Sequence, residues 1–393
     1  MKFSGSPEIS PPLWVVIPTY WGHAGEGIYD HPTPLDGKST LPRLLDSLVA
    51  QAYTGEFNVL ILLSSTSPTL EGEAAVCLRK LLAPYELKLN LLLADAAAAR
   101  NVNRALNAHS INLNVASMRG YAAVRNMQLL VPMVFGAKVI VAVDDDEVLP
   151  LDYLQQAMKW IGREQDGRRI TGIGGPYLDA SGNAFMDEAE QIRNILADKS
   201  VFMNDTLRQV MGEGKGLIET PMAFGGNMIF HRDLFTQVGF DPAITRGEDI
   251  DYVINARIAG QIFNFDSNLT ITHLPPRHFE APQYAKMRQD VIRFVYEREK
   301  IRQYGLNAAM FKPYPGNLLG DDFDRAALDA LHACATTALT AQFGSPVEVL
   351  QEAHAHAHQA VLEYGEFAVQ WKKAGAILES DMETEELLSL IRL

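Results

Sequence analysis

The sequence predicts an α/β fold, a mostly parallel sheet flanked by helices and followed by a C-terminal α-helical appendage. Three observations carry that expectation. Through the first 150 residues, short continuous apolar runs alternate with stretches of helical apolar spacing, as strands buried on both faces and their covering helices do. The length of 393 residues exceeds what one hydrophobic core usually serves, so a second unit is expected. From Gly320 onward the chain is Ala-rich and helical in periodicity, without a Gly-rich turn except near Gly344 to Pro346.

Taken in order, Trp14 to Ile17 is an apolar run stopped by Pro18-Thr19-Tyr20, and Leu41, Leu44, Leu45, Leu48 and Val49 give the following stretch, Thr40 to Ala52, a helical stripe. Phe57 to Leu63 reads as the next strand, followed by Ser64-Ser65-Thr66 and a helix around Ala74 to Leu82. Runs at Leu87 to Leu93 and Val139 to Val143 flank a segment whose second half, Ala122 to Phe135, looks helical despite Pro132. Beyond Gly175-Pro176 the pattern loosens, with a helix expected from Asp187 to Leu196 and a polar stretch through Gly216 that suits an acceptor-specific surface. Pro276 to Gly305 reads as a basic amphipathic helix, with Met287, Val291, Phe294, Val295 and Ile301 on its apolar side and Gly305 as C-cap.

Composition narrows the function. The chain is 47% hydrophobic and 21% charged with a formal charge of −14, which disfavours broad capture of nucleic acid or an anionic membrane. Only Cys77 and Cys334 could pair or bind metal as thiolates, too few for a disulfide framework or a thiolate zinc site. Residues 1–12 lack a signal-peptide apolar region, and no apolar run approaches the roughly 20 residues of a membrane span. A cytoplasmic location is expected.

In open sheets of this kind ligands sit beyond the carboxyl ends of the strands, which directs attention to Pro18 to Tyr20, Ser64 to Thr66 and Asp144 to Glu147. The long loop Trp21 to Lys38 reads as a functional flap. Its glycines, Gly22, Gly25 and Gly27, run against the dinucleotide fingerprint, and no P-loop signature occurs. Asp144-Asp145-Asp146-Glu147 places four carboxylates at a strand end, where their repulsion costs several kcal/mol unless a positive group sits among them. A divalent cation is the natural candidate. Strand alternation would turn Asp144 and Asp146 to one side, the D-x-D spacing that suits Mg²⁺ or Mn²⁺ with a diphosphate; a solvated turn capping the helix near Leu151 is the plainer alternative. Arg246-Gly247-Glu248-Asp249-Ile250-Asp251 opens another helical stretch. N-capping accounts for one of its carboxylates, hardly three, and a carboxylate at a helix start can act as general base towards a hydroxyl. His273, a structural residue in isolation, completes a mixed carboxylate and imidazole set for such an ion.

In their order and spacing these motifs resemble the GT-A-fold, nucleotide-sugar-dependent glycosyltransferases, family 2 in style. The resemblance rests on Val15 to Tyr20, Arg119-Gly120, Ala123 to Asn126, Val143 to Pro150, Phe224 to Asn227, Val238 to Asp241 and Gly247 to Asp249, and covers roughly residues 12 to 280. It implies a Rossmann-like sheet, a nucleoside-diphosphate sugar donor, a hydroxyl-bearing acceptor (sugar, lipid-linked or small molecule) and Mn²⁺ or Mg²⁺ as cofactor. Pro18, Thr19 and Tyr20 would line the base and ribose; Arg119 and Arg125 would lie near the donor; Asp144 and Asp145 would face it. Asp144, Asp146 and His273 would hold the metal, Gly225, Gly226 and Asn227 would lie beside the transferred sugar, and Asp249, with Glu248 second, would activate the acceptor in an inverting reaction. The second strand departs from the family by ending in Ser64 instead of an acidic residue, leaving Asp95 to read the base or the nucleotide to be held differently. A retaining enzyme of the glycosylglycerate type, a sugar-1-phosphate nucleotidyltransferase and a noncatalytic sugar-nucleotide-binding protein are the alternatives.

The resulting division is a transferase domain over 1–312, with a nucleotide half at 12–150 and an acceptor half at 151–280, and a helical appendage over 313–393. The appendage carries most of the net negative charge, whereas His273 to Lys312 is basic and would face an incoming anionic donor. His354, His356 and His358 read as exposed tail residues more than a metal-chelating face. The apolar tail positions Leu328, Leu331, Val347, Leu350, Val361 and Leu362 fit packing or a homo-oligomer contact.

Overall fold

The computed structural model describes residues 12–23, 32–113, 115–212, 216–276 and 282–378. Most of the Gly-rich flap, including Gly25 and Gly27, and residues 1–11 lie outside the described residues.

The strands are β1 (Leu13–Trp21), β2 (Phe57–Ser65), β3 (Asn90–Ala94), β4 (Val139–Ala142), β5 (Glu147–Val148), β6 (Glu164–Gln165), β7 (Arg168–Arg169), β8 (Gly172–Gly174), β9 (Tyr177–Leu178), β10 (Ile218–Glu219), β11 (Met228–His231), β12 (Phe263–Phe265) and β13 (Ile271–His273). Eight form one sheet in the order β10-β12-β8-β11-β4-β1-β2-β3, and β5, β13 and β9 form a second, small one. The pairings among β4, β1, β2 and β3 are all parallel, as is β8 with β12, while β11 runs antiparallel between β4 and β8. The mostly parallel α/β architecture expected from the sequence is therefore what the chain adopts.

β1 does not stop at Pro18 as expected but runs on to Trp21. Its pairing with β4 ends at Val16, while pairing with β2 continues to Trp21. Past Val16 one side of β1 is an edge, where a proline costs no ladder hydrogen bond. β3 starts at Asn90 instead of Leu87, whose side chain is fully exposed.

The helices are α1 (Leu41–Val49), α2 (Glu71–Leu82), α3 (Ala96–Ala108), α4 (Tyr121–Val134), α5 (Tyr153–Trp160), α6 (Lys199–Val210), α7 (Arg232–Phe235), α8 (Glu248–Ile258), α9 (Gln283–Gln303), α10 (Phe323–Cys334), α11 (Thr337–Phe343) and α12 (Pro346–Leu378). Alternate residues of each central strand feed opposite layers. Val15, Ile17, Val59, Ile61 and Val141 pack with α1, α2 and α5; Val16, Leu60, Leu62, Ile140 and Ala142 pack with α3, α4 and the end of α12. A third core joins α6, α8 and α9 to α10 and the first half of α12.

Two expectations fail here. Asp187 to Leu196 is not helical, because its backbone is bound by side chains: Asp198 accepts from the amides of Arg193 and Asn194, and Asn194 from those of Leu196 and Ala197. Such bonds offer the chain an alternative to a helix ladder, and the helix forms later, as α6. Secondly, half of the six cations of α9 are withdrawn from its surface. Arg293, Arg298 and Lys300 are buried and paired with Asp290, Asp324, Asp241 and Asp251. Gly305 does follow the end of α9 in the left-handed region, φ +68°, where glycine is favoured.

The helical tail is fastened to the rest of the chain. Trp371, fully buried, donates from Nε1 to the Phe235 carbonyl at 2.9 Å, and a Cβ on Gly239 would meet its ring at 2.5 Å. Of the apolar tail positions, Leu331 and Val361 are buried whereas Val347 and Leu362 are exposed. His354 bonds Asp324 of α10 at 2.8 Å. Among the described residues no helix is long and apolar enough to cross a membrane.

Candidate active site

β4 ends at Ala142 and the chain turns at Asp145 and Asp146 before entering β5. The acidic residues thus stand in a turn, and strand alternation does not set Asp144 and Asp146 side by side. Each takes a different partner. Asp144 forms a two-pronged ion pair with Arg125 of α4, 2.8 Å from Nη1 to Oδ1 and 3.0 Å from Nη2 to Oδ2. Asp146 lies 3.4 Å from Nε2 of His273. Asp145 accepts from Thr19 Oγ1 at 2.5 Å, and the fully buried Glu147 accepts the Asp144 amide at 2.9 Å. Burial and then the neighbouring Asp146 push the Asp145 carboxyl up to about 8; burial, Asp144 and Asp146 hold Glu147 well above its ordinary range. The positive group demanded by four adjacent carboxylates is, for Asp144, the Arg125 guanidinium.

Arg125 is 5% exposed and does more than neutralise the turn. Its Nε donates to Glu248 Oε1 at 3.2 Å and its Nη1 to Gln128 at 3.2 Å, so one guanidinium ties the acidic turn to the start of α8. Burial works against its charge, but Asp144 leads a set of anionic neighbours that hold its pKa well above the usual value. The three carboxylates at that helix start are shared out accordingly: Glu248 to Arg125, Asp249 Oδ2 to the Gly225 amide at 3.0 Å, and Asp251 to Lys300 of α9. The N-cap is Gly247, with no side-chain cap. Asp249 also accepts the Ile250 amide at 2.9 Å on Oδ1. Burial raises its pKa, against the pull of that amide, Arg125 and Arg293.

The loop Phe224-Gly225-Gly226 lies between the two acidic groups. A Cβ on Gly225 would approach Arg125 Nη2 to 2.6 Å, and one on Gly226 would approach Glu147 Oε1 to 2.1 Å. The Gly226 amide donates to the Tyr177 hydroxyl at 2.6 Å. Tyr177 is stacked between Phe224 and His273, with centroids 4.8 Å apart on both sides. Burial disfavours charge on His273, yet the bond to Asp146 outweighs it and raises the imidazole pKa. Tyr177 and Gln128 carry no signal in the sequence, whereas Glu147 and Phe224 stand in its motifs without a role of their own.

The remaining predicted residues divide. Tyr20 is half-buried and meets Tyr121 edge-on at 5.6 Å, but Pro18 and Thr19 are buried and the Thr19 hydroxyl is given to Asp145. Ser64 is fully buried with its hydroxyl on the Met118 carbonyl, 2.6 Å. Asp95 caps α3 through Oδ1, accepting the amides of Ala97 and Ala98. The exposed Arg119 donates to the Thr66 carbonyl at 3.1 Å. Asn227 is fully buried, and its side-chain amide bonds Tyr153, Leu269 and Pro176.

The three expected metal ligands are not brought together. Among the described residues no group of three or more His, Cys, Asp or Glu side chains is arranged to hold a metal. Asp146 and His273 are adjacent, the first largely buried and the second a third exposed, while Asp144 is turned to Arg125. A carboxylate and an imidazole nevertheless suit Mn²⁺ or Mg²⁺, an ion that commonly takes one or two protein ligands and completes its shell with water and substrate phosphate.

No family profile and no curated protein matches the chain. Among solved structures it is similar to the mannosyltransferase PcManGT from Pyrobaculum calidifontis in complex with GDP-Man and Mn²⁺, at 17% identity and a TM-score of 0.47, over 96% of this chain and 90% of that one. A mycobacterial protein is similar at 14% identity and a TM-score of 0.41, over 75% and 76% of the two chains. GalNAc-T7 with UDP, GalNAc and Mn²⁺ is similar at 12% identity and a TM-score of 0.43, over 86% and 57%.

Proposed function

We propose that the chain is a glycosyltransferase that moves a sugar from a nucleoside-diphosphate sugar to an acceptor hydroxyl with inversion, Asp249 serving as the base. One observation carries the reading. Arg125 bridges Asp144 and Glu248, drawing the Asp146–His273 pair and Asp249 to one locality with the Gly225-Gly226 backbone between them. Asp146 and His273 would hold Mn²⁺ or Mg²⁺, which when bound supplies Lewis-acid stabilisation for the departing diphosphate. Tyr177 keeps the His273 ring in plane by stacking. Asp249, oriented by amides on both oxygens, takes the acceptor hydroxyl proton as that oxygen bonds the anomeric carbon and the bond to the diphosphate breaks. Tyr20, Arg119 and Asp95 border the nucleotide side. The free thiols of Cys77 and Cys334 suit a reducing cytoplasm.

The test is a thermal-shift screen of nucleotide sugars with and without Mn²⁺, followed by analysis of the product anomer. Asp146→Asn should abolish metal-dependent donor binding; tight metal-dependent binding by that variant would refute the ligand assignment. Pyrophosphate release from a nucleoside triphosphate and a sugar phosphate would instead identify a nucleotidyltransferase, and a retained anomer would remove Asp249 from the base role.

A further inference from the structure

Gly247 opens α8 in the left-handed region, φ +75°, and the face where another residue would carry its side chain is already occupied. A Cβ built there would lie 1.4 Å from Nη1 of Arg293 on α9. Arg293 is itself 6% exposed and held on several sides. Its Nη2 donates to the Tyr314 hydroxyl at 3.0 Å and lies 3.5 Å from Asp290; its Nε is 3.8 Å from Glu297; the guanidinium sits over the Phe294 ring at 4.2 Å. Asp290 is fixed in turn by Lys199 of α6 and by Arg246, 3.5 Å away. Two turns further along α9, Lys300 bonds Asp251, and it reaches Asp241 at 2.9 Å. α9 therefore grips the first turns of α8 twice, at Gly247 by shape and at Asp251 by charge. A helix beginning on a left-handed glycine has a wide choice of entry angles; a guanidinium pressed on its open face leaves one.

We propose that Arg293 is a positioning residue for sugar transfer: by packing on Gly247 it fixes the entry angle of α8 and so the place from which Asp249 meets the acceptor hydroxyl. The inference rests on the reading of Asp249 as base. Arg293 needs no contact with donor or acceptor to matter, since a displacement of about 1 Å at a reacting group can cost about 100-fold in rate.

The experiment follows release of nucleoside diphosphate from UDP-, GDP- and ADP-sugars with Mn²⁺ and a panel of sugar and polyol acceptors, comparing wild type with Arg293→Met, Arg293→Lys and Tyr314→Phe. Arg293→Met should lower kcat by about 10- to 100-fold with donor KM within about twofold, Arg293→Lys should recover part of the loss, and Tyr314→Phe should show a smaller loss in kcat alone. Wild-type kcat in Arg293→Met, or a loss confined to donor KM, overturns the proposal. If Arg293→Met does not fold, Tyr314→Phe decides, and an unchanged kcat there overturns it. Failure of the wild-type chain to release nucleoside diphosphate from any of these sugars counts against the transferase reading, whatever Arg293 does.

Discussion

Replacing Arg125 with methionine keeps an unbranched stem and removes a cation shared by the acidic turn and α8. Asp144 is 27% exposed and can recover water, but Glu248 is 8% exposed and would be left an unpaired interior carboxylate. Removing one partner of a buried pair costs about 3–5 kcal/mol. With an unfolding entropy of about 2.1 cal/mol/K per residue over 393 residues, that corresponds to a fall in Tm of about 4–6 °C. The loss should depend on pH in a definite direction. Burial and Asp249 already raise the Glu248 pKa above 4.5, and Arg125 pulls it back, so the variant's carboxyl titrates higher still. An acid whose folded pKa exceeds its unfolded one regains stability as pH falls through that folded value towards 4.5. Calorimetry at pH 8 and pH 5.5 should therefore show the larger deficit at pH 8, and Arg125→Met/Glu248→Gln should recover part of it. An equal deficit at both pH values, or no rescue by the second substitution, refutes the bridge as the source of the stability.

Other substitutions probe separate parts of the site. Gly226→Ala would drive a methyl group to 2.1 Å from Glu147 Oε1, and Glu147 is fully buried and cannot swing into solvent; a loss of about 1–3 kcal/mol in urea unfolding is expected, and an unchanged midpoint would contradict the contact. Asp249→Asn should lower turnover while leaving donor affinity in equilibrium titration near wild type, and an unaltered rate excludes the base role. Glu297 is fully buried without a hydrogen bond to either oxygen, and burial, partly offset by Arg293, pushes it up to about 8. Its folded pKa lies above the ordinary 4.5, so its ionisation erodes stability as pH rises from about 4.5 to 8. Glu297→Gln should match wild type in Tm near pH 5 and exceed it at pH 9; a constant difference would show that Glu297 does not titrate in that range.

Much of the architecture was legible because the central strands are buried on both faces and read as unbroken apolar runs, with α1 marked by four leucines at helical spacing. The helix expected at Asp187 to Leu196 failed because composition does not say whether Asn194 and Asp198 will point to solvent or seize nearby amides. α3 was missed although Asp95 heads a run of alanines, since that aspartate had been considered only for ligand contact. At the site, Asp146, His273, Glu248, Asp249, Arg125 and Gly225 stood out as motifs, but the pairing among them did not. Arg125 and Glu248 are 123 positions apart, and Tyr177 enters only because β9 and β5 both pair with β13. The D-x-D spacing suggested a shared ligand set that the turn geometry divides between Arg125 and His273.

The anchoring of Trp371 on Phe235, 136 positions earlier, bears on how the molecule is made. α12 supplies Tyr364, Phe367, Trp371 and Leu378 to the same core as β1, β2 and β4, so that layer stays incomplete until the ribosome has released nearly all of the chain described. Contacts of such sequence separation form slowly and leave apolar surface open meanwhile. During synthesis the Val238 to Phe240 side of the sheet would be the stretch most in need of a chaperone, and stalling the nascent chain ahead of residue 371 should leave it sensitive to protease.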